Sequence, residues 1–293
     1  MFEMLRKSLL IACGAFTAVG LALAFAGDAA FASWRDAVAR AMLGGSFPAE
    51  LREYAGLTDG ILGGSIVGKW VAIGWLVHAP LRRRERWALK VLLAGHLSWF
   101  VVDAAASALY GAAVNVWMVD LLPLVLVGAL VLAAWPHTVD TPPPREPVLP
   151  SVRVLTMVCA ASIGIGLAAA FAIRSFVFHF YDLAAAETYF GGAMGAAARA
   201  WQRFAYGLIG ATLVGHFVVL TGMLLRAPNE RWVMHAVLTS MTAWFVVDTA
   251  GSLLHGGLFN VLQVNLPSYL GTLAPVAFAY RALPARSASE PSR

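Results

Sequence analysis

The sequence has little cysteine and little charge, and both shortages exclude classes of protein. Its 293 residues include two cysteines, Cys13 and Cys159. Two are too few for a disulfide framework or a cysteine-based zinc site. Charged residues make up 13% of the chain and hydrophobic residues 60%, whereas soluble domains typically have about 25% and about 45–50%. An ordinary soluble domain is therefore excluded, and a membrane protein is indicated.

The sequence also lacks the short motifs that identify a reaction. It has no Walker A loop, nucleophile elbow, CxxC pair, dinucleotide fingerprint or HExxH metal motif. The net charge of +5 is not arranged as a basic stripe interleaved with aromatic residues, so nucleic-acid binding is not expected. We therefore expect no cofactor and no bound metal, and favour a non-enzymatic protein over an enzyme.

Long apolar runs dominate what the sequence does contain. A helix needs about 20 mainly apolar residues to cross a bilayer, and eight stretches qualify. The sequence thus predicts an all-α polytopic membrane protein with eight transmembrane helices, at 8–26, 60–79, 87–110, 114–135, 154–173, 205–225, 232–255 and 258–280. The Pro-rich segment 136–152 is predicted to be a cytoplasmic linker, and 284–293 a disordered cytoplasmic tail.

The two parts of the chain are similar to each other. With a displacement of 145 residues, 85–121 lies over 230–266 with 17 identities at 37 positions, including WFVVD at 99–103 and 244–248. Shared apolar composition does not produce matching Trp, Asp and Asn. We interpret this as a tandem duplication of a four-helix membrane unit, 1–135 and 153–283. The first span resembles a signal peptide, but its counterpart lies mid-chain, so we expect it to be retained.

The basic residues predict the orientation. With the N-terminus inside, fourteen Lys and Arg fall in inner segments and six in outer segments, and Lys69 is left within a span. This asymmetry predicts that both termini are cytoplasmic, in the plasma membrane (the inner membrane, if the source is Gram-negative). Because each unit has an even number of spans, the two units are expected to be parallel and related by an axis along the membrane normal.

The two long outer loops, about 27–59 and 174–204, have an amphipathic pattern. In the first loop, apolar residues at helical spacing stand opposite polar ones, Arg35 among them. This predicts a short interfacial helix. A Gly-Gly pair follows in each loop and is expected to end the helix.

Polar residues inside the spans are the candidates for function, because ionisable groups there are costly. Asp103 and Asp248 occupy equivalent positions, with a Trp four residues before and a Ser four residues after on the same helix face. Lys69 and His216 are also equivalent. Their depth predicts that Lys69 lies within salt-bridge reach of Asp103, directly or through one water, and that His216 lies similarly near Asp248. The candidate binding or coupling residues are Asp103, Asp248, Lys69, His216, Ser107, Ser252, Asn115, Asn260, Asp120, Asn265, Trp99 and Trp244.

Three functions are compatible with this pattern. The first is permease-like or channel-like movement of a small solute or ion through a polar site at the repeat interface. The second is a structural or accessory role, in which the aspartates tie helices together. The third is a membrane enzyme acting on a lipid or quinone near the outer leaflet. A cavity shared by both aspartates would favour the first, paired aspartates in a dry core the second, and a lateral cleft the third. The expected partner is the bilayer; a homo-oligomer is not indicated.

Overall fold

A computed structural model describes residues 1–142, 147–172 and 175–283 of the chain. The predicted tail and residues 143–146 of the predicted linker lie outside this part. Within it, the chain is all-α. Its ten α-helices are α1 (Phe2–Ala30), α2 (Ala32–Leu43), α3 (Arg52–His78), α4 (Arg86–Leu109), α5 (Leu121–Ala134), α6 (Pro150–Phe171), α7 (His179–Phe190), α8 (Ala196–Arg226), α9 (Arg231–Leu254) and α10 (Leu266–Ala282).

Seven helical segments of the described chain are long and apolar enough to cross a membrane. They contain α1, α3, α4, α5, α6, α8 and α9, so the chain is a multi-span integral membrane protein. The eighth predicted span falls on a helical turn, Leu258–Asn260, a π turn, Val261–Asn265, and α10. It is not among the seven, because Asn260, Gln263 and Asn265 lower its hydropathy.

Helices α2 and α7 lie where the sequence predicts amphipathic helices. Each ends at a glycine with positive φ, 73° at Gly44 and 61° at Gly191, a conformation that costs glycine little. Arg35 lies on the polar side of α2 but does not face solvent. Its guanidinium is buried and forms ion pairs with Asp28 and Asp59, because these carboxylates of α1 and α3 lie beside the polar face of α2.

The central helices pair across the two parts of the chain. Helix α3 packs along α9, α8 packs along α4, and α3 and α8 also contact each other. Helices α1 and α6 pack on the other sides of α3 and α8. The predicted polar pairs assumed contact within each four-helix unit, whereas α3 touches α4, its neighbour in sequence, at few positions.

Glycine makes the α3–α9 contact close. Gly60 faces the backbone of Gly251, and a Cβ atom on Gly64 would lie only 2.7 Å from the backbone nitrogen of Asp248. Lipid provides no hydrophobic driving force between helices, so small residues that let backbones approach are what hold them together. The α8–α4 contact is similar, since a Cβ atom on Gly215 would lie 2.7 Å from the Cβ atom of Trp99.

Two glycines of α3 allow a test of this packing. Gly64→Ala should lower the free energy of unfolding by about 1–3 kcal/mol, because the added methyl group forces α3 and α9 apart. Gly74→Ala is the matched control: a Cβ atom there meets nothing within 4 Å, and alanine should leave stability unchanged or raise it by up to about 1 kcal/mol. Thermal unfolding in detergent measures both. Equal unfolding temperatures for the two variants would contradict the close contact.

Candidate functional site

The structure brings the candidate residues of α4 and of the segment after it into one buried cluster. Asp103 accepts hydrogen bonds from the hydroxyl of Ser107 at 3.2 Å and the side-chain amide of Asn115 at 2.9 Å. The carbonyl oxygen of the same amide accepts a hydrogen bond from the Trp34 indole at 2.9 Å. Asn115 is therefore fixed from both sides, and helix α2 contributes to the cluster.

The π turn that follows α4 brings a second carboxyl group, that of Asp120, to this cluster. Residues Val116–Asp120 form a π helix, in which residues five apart are hydrogen-bonded across one turn; at about 3.6 residues per turn, an α-helix would point them in different directions. The amide of Asn115 therefore donates both to Asp103, at 2.9 Å, and to Asp120, at 3.4 Å. The two carboxyl groups thus lie beside the same amide nitrogen.

The candidate residues of α9 form a second buried cluster. One oxygen of Asp248 accepts hydrogen bonds from Ser252 at 3.0 Å and from the amides of Asn260 and Asn265, each at 2.8 Å. The hydroxyl of Tyr181, on α7, donates to the carbonyl oxygen of Asn260 at 3.0 Å. The π turn Val261–Asn265 again brings residues five apart together. Here the amide of Asn265 takes the place of the second carboxyl group and donates to the aspartate.

Lys69 is buried, with 2% of its surface exposed, and it is not paired with Asp103. Its ammonium lies 3.8 Å from the centre of the Trp99 ring and 5.5 Å from that of Trp70. In the described part of the chain it has no ion pair within 4.0 Å. The predicted direct pair is wrong because α3 runs along α9, so the lysine side chain reaches α4 over the tryptophan ring.

A direct His216–Asp248 pair is also absent. Nε2 of His216 is buried without a hydrogen-bond partner among the described residues, and the ring stacks on Phe217 with centroids 5.1 Å apart. A Cβ atom on Gly68 would lie 3.0 Å from the His216 ring. His216 therefore packs against α3, the helix that carries Lys69. Trp244 is buried beside the same glycine.

A cavity of about 230 Å³ adjoins the first cluster. Lys69, Asp103 and Asn115 form its polar end, and most of the other lining residues are apolar or aromatic. The lining includes Val19 of α1 and, in the first turn of α5, Leu122, which is 69% exposed on the outside of the helix bundle. The cavity therefore opens sideways between α1 and α5, towards the surface that meets lipid in a membrane protein.

A second cavity, of about 300 Å³, lies beside Asn260. Its lining includes Ile165 of α6, half exposed on the outside of the bundle, and the aromatic residues Tyr181 and Tyr206. It shares no lining residue with the first cavity, and Asp248 does not line it. These two cavities therefore do not join the two aspartates.

Sequence reasoning missed the residues that reach the clusters from α2 and α7. Trp34 and Tyr181 lie in the two predicted outer loops, whereas all the candidate residues lie in the predicted spans. They are 147 residues apart, close to the displacement that relates the two parts of the chain. An alignment of the two outer loops at this displacement would have identified them.

Comparison with known proteins adds no family assignment. No family model, curated protein or solved structure matches the chain. Among the described residues, no group of three or more His, Cys, Asp or Glu side chains is placed to hold a metal ion. What the site offers is a lysine nitrogen, the carboxyl groups of Asp103 and Asp120 and the amide of Asn115 at the polar end of a largely apolar cavity.

The two clusters suggest a matched test of the carboxyl pair. Asp120→Asn should leave the free energy of unfolding nearly unchanged, because Asn265 shows that an amide at this place donates to the aspartate at 2.8 Å. Asp103→Ala should lower it by about 1–3 kcal/mol, because the buried donors of Ser107 and Asn115 lose their acceptor. Thermal unfolding in detergent measures both changes. An equal loss of stability in the two variants would contradict the assigned hydrogen bonds.

Proposed function

We propose that the chain crosses the plasma membrane eight times, as two parallel four-helix repeats with both termini in the cytoplasm. The sequence identities, the matching hydrogen bonds around Asp103 and Asp248, and the basic residues support this arrangement. The linker supports it too: Arg86, at the start of α4, forms an ion pair with Asp140 at 3.0 Å. The linker and the 80–90 loop thus lie at the same end of the bundle, as the topology requires.

Cysteine labelling tests the topology. In a variant with Cys13 and Cys159 replaced by alanine, single cysteines are introduced at Gly45, Arg83 or His137. A maleimide that does not cross membranes should label intact cells at position 45 and label positions 83 and 137 only after lysis. Arg83 and His137 on opposite sides of the membrane would contradict eight spans in this orientation.

We propose that the protein binds a small amphiphilic solute from the lipid phase, as the first step of a permease-like function. The lateral cavity carries this proposal. Its apolar lining suits the apolar part of such a molecule, and Lys69, Asp103 and Asn115 offer hydrogen bonds and charge to its polar group. Asp120 does not line the cavity and is joined to the cluster through the amide of Asn115, at 3.4 Å. Most known ligand sites have this composition, a largely apolar cavity with a few placed polar groups.

The size and position of the cavity restrict the solute. About 230 Å³ is below the roughly 300–1,000 Å³ of cavities that enclose a whole drug-sized ligand. The site therefore suits one end of a molecule whose remainder stays in lipid between α1 and α5. Because the two lateral cavities are separate, entry from lipid has more support than a central path lined by both aspartates. The same opening would serve an enzyme acting on a lipid or quinone, with the carboxyl pair as its proton donor.

A structural role is the second candidate, and it applies to the cluster around Asp248. Hydroxyl and amide donors surround one oxygen of this aspartate, and the side chain lines neither lateral cavity. We propose that this cluster ties α9 to its π turn, while the cluster around Asp103 serves the solute.

Photo-crosslinking with a matched pair of variants tests the binding site. The probe is a diazirine derivative of hexadecanol in liposomes containing the protein. We expect crosslinks in 115–123, and Val19→Trp should abolish most of them because it fills the opening between α1 and α5. Ile165→Trp, at the opening of the second cavity, should leave them unchanged.

Crosslinks to Leu132, which is 70% exposed on the outside of the bundle, are the internal control for contact with lipid. They should be the same in all three proteins. If Val19→Trp lowers crosslinking at 115–123 no more than at Leu132, the cavity does not take the probe and the proposed function is wrong.

A further inference from the structure

Lysine is rare in this chain, and one of its lysines differs from the others in being buried. The three are Lys7, Lys69 and Lys90. Lys7 and Lys90 are exposed, and Lys90 forms an ion pair with Asp140 at 2.7 Å. Lys69 alone is buried, yet it lines the lateral cavity. It is thus the one lysine placed to meet a molecule that arrives from lipid.

The surroundings of Lys69 suit a nucleophile better than a structural cation. In the described part of the chain, no carboxylate lies within ion-pair distance of its nitrogen and no hydrogen bond holds it. Its closest charge-stabilising neighbour is the face of Trp99, at 3.8 Å. A lysine amine desolvated in an apolar pocket is the type of group that forms Schiff bases with carbonyl compounds.

We propose that Lys69 forms a Schiff base with a long-chain aldehyde that enters the lateral cavity from the lipid phase. This inference rests on the proposed function of the cavity and identifies the chemical class of its solute. The aldehyde carbon would meet the amine at the polar end, and the chain would leave through the opening between α1 and α5. His216 occupies the equivalent place in the other repeat and has no amine, so the reaction is confined to the first repeat.

The chemistry is balanced by groups at the cavity. The neutral amine adds to the carbonyl carbon: the C–N bond forms, the π bond of C=O breaks, and the proton that the nitrogen loses passes to the oxygen to give a carbinolamine. The nitrogen lone pair then forms the C=N bond as the hydroxyl group takes up a proton and leaves as water, so amine and aldehyde yield imine and water with no oxidant or reductant. Asp103, which lines the cavity, would in its protonated form give the departing oxygen that proton as a general acid. The carboxylates that remain would balance the charge of a protonated imine.

Trapping with borohydride tests the inference on the unaltered protein. Liposomes containing the protein are treated with hexadecanal and then sodium borohydride, which converts an imine into a stable secondary amine, and adducts are mapped by peptide mass spectrometry. We expect the hexadecanal adduct mainly on Lys69. Pyridoxal phosphate, an aldehyde that stays in water, should give the opposite pattern, with adducts on Lys7 and Lys90. Val19→Trp should remove the Lys69 adduct and leave those on Lys7 and Lys90.

The outcomes separate this inference from the function on which it rests. Hexadecanal adducts on Lys7 and Lys90 but not on Lys69, or equal adducts on all three, would overturn the Schiff base. If the hexadecanol probe still crosslinks at 115–123 in a manner sensitive to Val19→Trp, the cavity binds amphiphiles and only the Schiff base is wrong. If that crosslinking also fails, both proposals fall.

Discussion

The structure depends on direct contact between helix backbones from different parts of the chain. Inside a bilayer, helices gain nothing by hiding apolar surface from one another, so their association rests on close packing and hydrogen bonds. Gly60, Gly64 and Gly251 bring α3 and α9 together without intervening side chains. Because α4 and α9 carry the two aspartates and lie against helices of the opposite part, each polar cluster is positioned by residues far away in sequence.

The two polar clusters have the same arrangement of residues but contain different ionisable groups. Around Asp103 there is a second carboxyl group and a buried ammonium; around Asp248 the corresponding residues are Asn265 and His216. The serine and the asparagine that bind each aspartate are common to both clusters. We propose that the common residues hold the helices in place and that the residues that differ distinguish the first cluster as the one that binds a ligand.

Much of the cluster composition could be predicted from the sequence, but its pairing could not. Asp103, Ser107, Asn115 and Asp120 were selected because they recur at fixed spacing, and they do meet in space. A direct Lys69–Asp103 pair is absent, because periodicity shows which face of a helix is polar but not which helix lies opposite. The glycines of α3 that contact α9 are present in the sequence. However, α3 has small residues on several faces, so they do not indicate which face meets α9. The lateral cavity depends on how α1 and α5 pack against each other, and no local sequence pattern predicts that packing.

The π turns have a consequence for the lengths that the chain can tolerate. A π turn accommodates one residue more than the α-helical turn it replaces, and here that residue lets Asn115 and Asp120 share a face. Deleting one residue between them would convert the π turn into an α-helical turn, in which the two side chains would be four residues apart and would still share a face. The register of α5 would then be unchanged, so the count of residues in this turn is less constrained than the identity of Asn115 and Asp120.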